Sequence, residues 1–268
     1  FFPEPKEPAP LADEEIDGAD PSTPFPLFLI QTMPVYTALA EKMEAEHEYL
    51  KEQGWAARAA NLQGFHLYRP RIVVCLSGTY GDPRHWVLHE LVHVMAYPRY
   101  GRQPFWVEEG MAWFVEDTIL KGVFAFCYRS NFLWDAEKSG WSNDFAGLLR
   151  KDKPPSVLQL ASMRPGTYTA GDSGVKDPRA LLAYGFIAFC SNERRSEFLA
   201  MMSAFAKDAA EVGEFEASYE VPVETQRKVL EATFGPDLDK DLASFAGRIG
   251  KEASKPKAPS KAERYPGG

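Results

Sequence analysis

The residues with chemistry to offer are concentrated in one short segment, His89-Glu90-Leu91-Val92-His93. On a helix, residues four apart lie one turn apart and about 40° apart around the axis, so the two imidazoles face the same way and can chelate one small cation. Glu90 lies next to that face, poorly aimed to ligate the same ion but able to reach a water on it and take its proton. The surrounding Trp86, Val87, Leu88, Leu91, Val92, Val94, Met95 and Ala96 are apolar nearly all round, which predicts a buried helix. Each unsatisfied polar group there costs about 1–3 kcal/mol and a lone charge more. A zinc ion satisfies both histidines and the glutamate, so the segment is expected to hold one.

His85 extends the stripe by another turn, but about 12 Å of axial rise separates it from His93, too far for the two to share an ion. It is expected at the surface or beside a ligand. A catalytic zinc site needs a third protein ligand and an open position. Downstream, the run Pro104-Phe-Trp-Val-Glu-Glu-Gly-Met-Ala-Trp-Phe-Val-Glu116 supplies Glu108, Glu109 and Glu116. On a helix Glu108 and Glu109 point about 100° apart, so only one of them can face the metal. Glu116, two turns beyond Glu109, either orients a ligating histidine or lies solvated.

The two segments together resemble the gluzincins, zinc peptidases that include the neutral aminopeptidases and the peptidase MA-like bacterial proteins. Those carry the paired-histidine motif followed by a Trp-x-x-Glu-Gly-x-Ala segment, matched here by Trp106, Glu109, Gly110 and Ala112, with fifteen residues between His93 and Glu109. The resemblance spans roughly residues 70 to 250 and includes the Ala232-Thr233-Phe234-Gly235 segment before a last helix. It implies a zincin-like domain with His89, His93 and Glu109 as ligands of one zinc ion. It also implies zinc-dependent hydrolysis of peptide bonds, with Glu90 as general base and then as proton donor to the leaving amine. Tyr184, in Ala183-Tyr184-Gly185-Phe186, looks similar to the tyrosine by which neutral aminopeptidases stabilise the oxyanion. The Gly-Ala-Met-Glu-Asn type of motif that holds a free amine is absent, so the likeness does not extend to exopeptidase activity. The alternative is a non-catalytic metal- or peptide-binding protein that retains a metallopeptidase fold; Glu90 between intact histidines argues for catalysis.

The elements that must position these residues follow from capping and periodicity. Arg71-Ile-Val-Val-Cys-Leu76 reads as a strand entering a turn, and its edge is expected to take an extended peptide substrate. Asp82 and Pro83 open the paired-histidine helix, which Pro98 is expected to end near Ala96; the glutamate-bearing helix runs from about Pro104 to Leu120. Gly110 and Ala112 are small enough to let the second helix approach the first. Thr32 and Pro34 start a peripheral helix expected to reach Gln53, before Gly54. Further helices are expected at 142–150, 178–191, 194–211, 222–234 and 237–249, giving an α+β, helix-dominated class with a short sheet before the metal-binding helix.

Composition sets the remaining bounds. The 268 residues are 45% hydrophobic, enough for a sizeable core. Residues 1–24 hold Pro3, Pro5, Pro8, Pro10, Pro21 and Pro24 and are expected as an extended linker, 25–250 as the domain, and 251–268 as a disordered tail. The net charge of -8 gives no footprint for nucleic acid or an anionic membrane, and no stretch is apolar enough to span one. A peptide or protein is the expected partner. Cys75, Cys127 and Cys190 lack metal-binding spacing and are expected to pack as small apolar groups. Of the aromatic residues after the histidines, Trp113, Phe114, Phe124, Phe126, Phe132 and Trp134, most are expected in the core and some in a specificity pocket. A start at Phe1, without Met or a signal, predicts a processed chain, secreted or periplasmic after signal removal, or a trimmed one.

Overall fold

A computed structural model describes residues 24–51, 54–60, 62–68, 70–77, 82–123, 140–163, 178–212 and 220–253. The expected linker lies outside the described residues except for Pro24, as do Cys127, Phe124, Phe126, Phe132, Trp134 and the tail beyond Ala253.

Ten α-helices and a three-stranded sheet make a helix-dominated α+β fold among the described residues. The strands are β1 (Leu27–Ile30), β2 (Gly64–Tyr68) and β3 (Arg71–Leu76). Strand β3 is the one expected from the sequence, and it lies in the middle: β1 pairs with it in parallel and β2 antiparallel. Both of its edges are therefore occupied, which overturns the expectation that it binds a peptide along one of them. A central strand buried on both faces explains why Ile72 to Leu76 is one unbroken apolar run.

Strand alternation sorts the two faces. Ile72, Val74 and Leu76 of β3, with Phe65 and Leu67 of β2, pack against α1 (Met33–Glu46), α2 (Glu48–Lys51) and α3 (Trp55–Ala59). Val73 and Cys75 point the other way, against Trp86 and Val94 of α4 (Pro83–Tyr100). The helix expected from Thr32 to Gln53 is broken at His47, which is extended. Thr32 stands at the N-cap, but its side chain makes no capping hydrogen bond. Asp82 does cap α4, accepting from the Arg84 backbone N–H at 3.0 Å. Pro98 does not end that helix: it sits in the last turn, where the missing N–H removes one bond, and α4 closes at Gly101, whose N–H donates to the Tyr97 carbonyl at 2.8 Å.

The second helix of the motif, α5 (Phe105–Leu120), lies between α4 and the main core. That core is completed by α6 (Trp141–Leu149), a 3₁₀ turn over Val157–Ser162, α7 (Pro178–Glu193), α8 (Arg195–Val212), α9 (Val223–Phe234) and α10 (Leu238–Ala253). Helix α10 runs three residues past the expected domain end at 250. The small residue Gly110 serves a neighbour other than the one expected. A Cβ there would come within 2.9 Å of Ile187 Cγ1 and 3.1 Å of the Ala183 carbonyl, so the close approach is to α7 and not to α4. Cys75 and Cys190 are buried, and burial pushes the Cys190 thiol well above its ordinary pKa. Among the described residues no helix is long and apolar enough to cross a membrane.

Candidate metal centre

Helix α4 is polar on two separate stripes, and each faces a different element. His85, His89 and His93 recur every turn and meet α5, whose Glu109 and Glu116 lie two turns apart on one face. The order is antiparallel. His93 Nε2 is 3.7 Å and His89 Nε2 3.4 Å from the two oxygens of Glu109. One step further along, His89 Nδ1 is 3.7 Å and His85 Nδ1 2.5 Å from the two oxygens of Glu116.

His89, His93 and Glu109 each offer one ligand atom, all within 4.8 Å of one another, and all three side chains are buried. This group could hold a metal ion. Burial holds the His93 imidazole well below the usual histidine range, and nearby His66 and His89 push the same way. The neutral ring that results is the form that ligates. Glu116 is fully buried rather than solvated. One of its oxygens lies 3.7 Å from the outward nitrogen of His89, beyond hydrogen-bond distance, and the other is held by His85. His93 Nδ1 lacks a hydrogen-bond partner among the described residues.

Glu108 has a different task. Partly buried, it accepts a hydrogen bond from the Gln103 backbone N–H at 3.2 Å, ahead of the first turn of α5. Burial raises its pKa, while Arg102 works against that. The choice of Glu109 over Glu108 agrees with this division.

The second stripe of α4, Trp86, Glu90 and Val94, faces the sheet. There Glu90 Oε2 lies 2.6 Å from His66 Nδ1 on β2, while Glu90 Oε1 is buried with no hydrogen-bond partner among the described residues. Alternation along β2 sends Phe65 and Leu67 to the helical layer on the far side, leaving Gly64, His66 and Tyr68 toward α4. A Cβ on Gly64 would meet Glu90 Cγ at 3.2 Å and Oε1 at 3.3 Å, so the glycine makes room for the carboxylate. The His66 ring stacks on His93, with centroids 4.7 Å apart, and Tyr68 stacks on Tyr97 at 4.1 Å. Sequence reasoning missed His66. The one signal for it was the alternation in Gly64-Phe65-His66-Leu67-Tyr68, two residues before the strand that was recognised.

Tyr184 is not brought to this group. Its hydroxyl donates to Asp117 Oδ2 at 2.7 Å and lies 3.0 Å from Ser142 Oγ. Asp117 is eight residues beyond Glu109, about 12 Å further along α5. Burial first, and then the Asp117 charge, raise the Tyr184 pKa above the ordinary tyrosine range, so the hydroxyl stays protonated and donates. Tyr184 lines, with Phe114, Trp141 and Asn192, a cavity of about 590 Å³ that the histidines do not border. Gly185 beside it leaves no room for a Cβ against the Phe145 ring, 2.2 Å away, so the Tyr-Gly pair serves helix packing. Trp113 is a core residue in ring contact with Trp141. No family model, no curated protein and no solved structure matches the chain.

Proposed function

We propose that the chain hydrolyses peptide bonds, with one zinc ion held by His89, His93 and Glu109 in a zincin-like domain and with Glu90 as the general base. The observation that carries this is the convergence of two imidazole Nε2 atoms on the Glu109 carboxylate at 3.4 and 3.7 Å. Those distances are too long for charge-assisted hydrogen bonds, which close to about 2.7–2.9 Å, as the 2.5 and 2.6 Å His–Glu contacts beside them do. Ligand atoms on one tetrahedral zinc lie about 3.4 Å apart for bonds of about 2.1 Å, and here one atom from each of the three side chains lies within 4.8 Å of the others. The donor set of two imidazoles and one carboxylate is that of a catalytic site with a fourth position open.

Zinc held there would supply Lewis acidity, acidifying a water and polarising an amide carbonyl. Glu90, ionised, takes a proton from the water at Oε1, the oxygen with no hydrogen-bond partner among the described residues, and later passes it to the leaving amine. The outer edge of β2 is unpaired among the described strands and carries His66, so an extended peptide has an edge beside Glu90. The likeness of Trp106, Glu109, Gly110 and Ala112 to the gluzincin segment supports the same reading.

The substitution Glu90→Gln tests it, read on one preparation as zinc content, turnover of a substrate found by peptide-library digestion, and affinity for that peptide. Zinc and affinity are expected to persist while turnover falls by at least about a hundredfold, the lower range for losing a general base. Turnover near wild type with zinc bound contradicts the proposal. Stoichiometric zinc without turnover in the wild type favours a non-catalytic metal- or peptide-binding protein.

A further inference from the structure

We propose that His66 is a positioning residue for Glu90, holding one carboxylate oxygen so that only the other is left to move the proton. The inference rests on the hydrolytic reading above. A base must be ionised, and an ionised carboxylate only accepts hydrogen bonds; at 2.6 Å, His66 Nδ1 must then carry the hydrogen and donate to Oε2. The terminal torsion of a glutamate is broad and roughly twofold, so an unheld carboxylate presents either oxygen over a wide arc. The His66 bond removes that freedom. Gly64 keeps side-chain atoms away from Oε1, and the His66 ring is itself in contact with the rings of His93 and of Tyr68, 4.8 Å away.

The placement is set by the hairpin: Gly64 pairs with Cys75 and His66 with Val73, the two β3 residues that face α4. A register slip of one residue would turn His66 away and present Phe65 or Leu67 to the carboxylate instead. The pairing is thus written into the alternation of β2.

The experiment has two arms. In urea unfolding of the metal-free protein, His66→Ala, Glu90→Ala and the double substitution form a cycle. The double variant should lose less stability than the two single losses added together, and additive losses overturn the contact. On the zinc-loaded protein, with a quenched-fluorescence peptide chosen from a random library, His66→Ala should lower kcat by about tenfold or more with KM within about twofold. His66→Asn, which puts an amide N–H where Nδ1–H stood, should recover most of that loss; His66→Gln, reaching one bond further, should not. Equal kcat in the Ala and Asn variants, or an effect confined to KM, overturns the positioning role. Glu90→Gln keeps the two readings apart. If it abolishes turnover while His66→Ala changes nothing, His66 is a fold contact and the hydrolytic proposal stands; if it spares turnover, the base assignment fails and the role of His66 with it.

Discussion

Helix α5 carries two carboxylates in opposite situations, Asp117 partly buried and Glu109 buried. At Asp117, a tyrosine hydroxyl donates at hydrogen-bond distance with Ser142 completing the cluster, so the polar groups satisfy one another within the fold. At Glu109, about 12 Å back along the helix, the facing atoms are imidazole nitrogens at 3.4 and 3.7 Å, and Oε2 has no hydrogen-bond partner among the described residues. One atom from each of His89, His93 and Glu109 lies within 4.8 Å of the others, a group that could hold a metal ion. The comparison separates polar groups that satisfy one another within the fold from polar groups that could hold a metal ion.

The strongest way to break the comparison is at Glu109 itself. Glu109→Ala should weaken zinc binding by more than about a hundredfold, beyond the range for an outer partner, while Glu108→Ala should leave it nearly unchanged. A chelator-competition titration that ranks the two in reverse moves the ligand to Glu108. A smaller effect is expected one step out, where Glu116 stands 3.7 Å from His89 Nδ1. Glu116→Ala should reduce zinc affinity by about 10–100-fold, read by the same titration; no change would make Glu116 a partner of His85 alone.

Gly64 sharpens the sheet side of the site. Gly64→Ala forces a Cβ to 3.2 Å from Glu90 Cγ and 3.3 Å from Cys75 Sγ, so the carboxylate must shift by a few tenths of an ångström. Turnover should fall by up to about tenfold with zinc content unaltered; measured kcat with metal analysis checks both. The smallest functional effect is expected at the far end of α5. Tyr184→Phe should leave zinc content and turnover as in wild type and cost about 1–3 kcal/mol of stability in urea unfolding, because Asp117 loses a buried donor. A large loss of kcat there would restore the oxyanion role that the hydrogen bonds argue against.

Which of these features were legible in the sequence follows from the distance over which each is encoded. The His89–His93 pair and the Glu108–Glu109 choice are local, fixed by helical angles and by one segment pattern. Strand β3 announces itself because a strand buried on both faces is an unbroken apolar run. Strand β1 is four residues entered through Pro24 and Pro26, and β2 mixes Gly, His and Tyr with two core residues, so neither has a strong pattern of its own. Without them in view, β3 reads as an edge. His66 was invisible for the same reason: its partner is 24 residues away and meets it only when the hairpin lies over α4. The likeness around Tyr184 is also local, and the glycine within it packs against Phe145.

The central claim concerns what lies among His89, His93 and Glu109, and metal analysis of purified protein by inductively coupled plasma mass spectrometry addresses it most directly. One equivalent of zinc is expected in the wild type, most of it lost in His89→Ala or His93→Ala, and essentially none retained in the double substitution. A full equivalent remaining in the double variant would put the metal elsewhere and contradict the account.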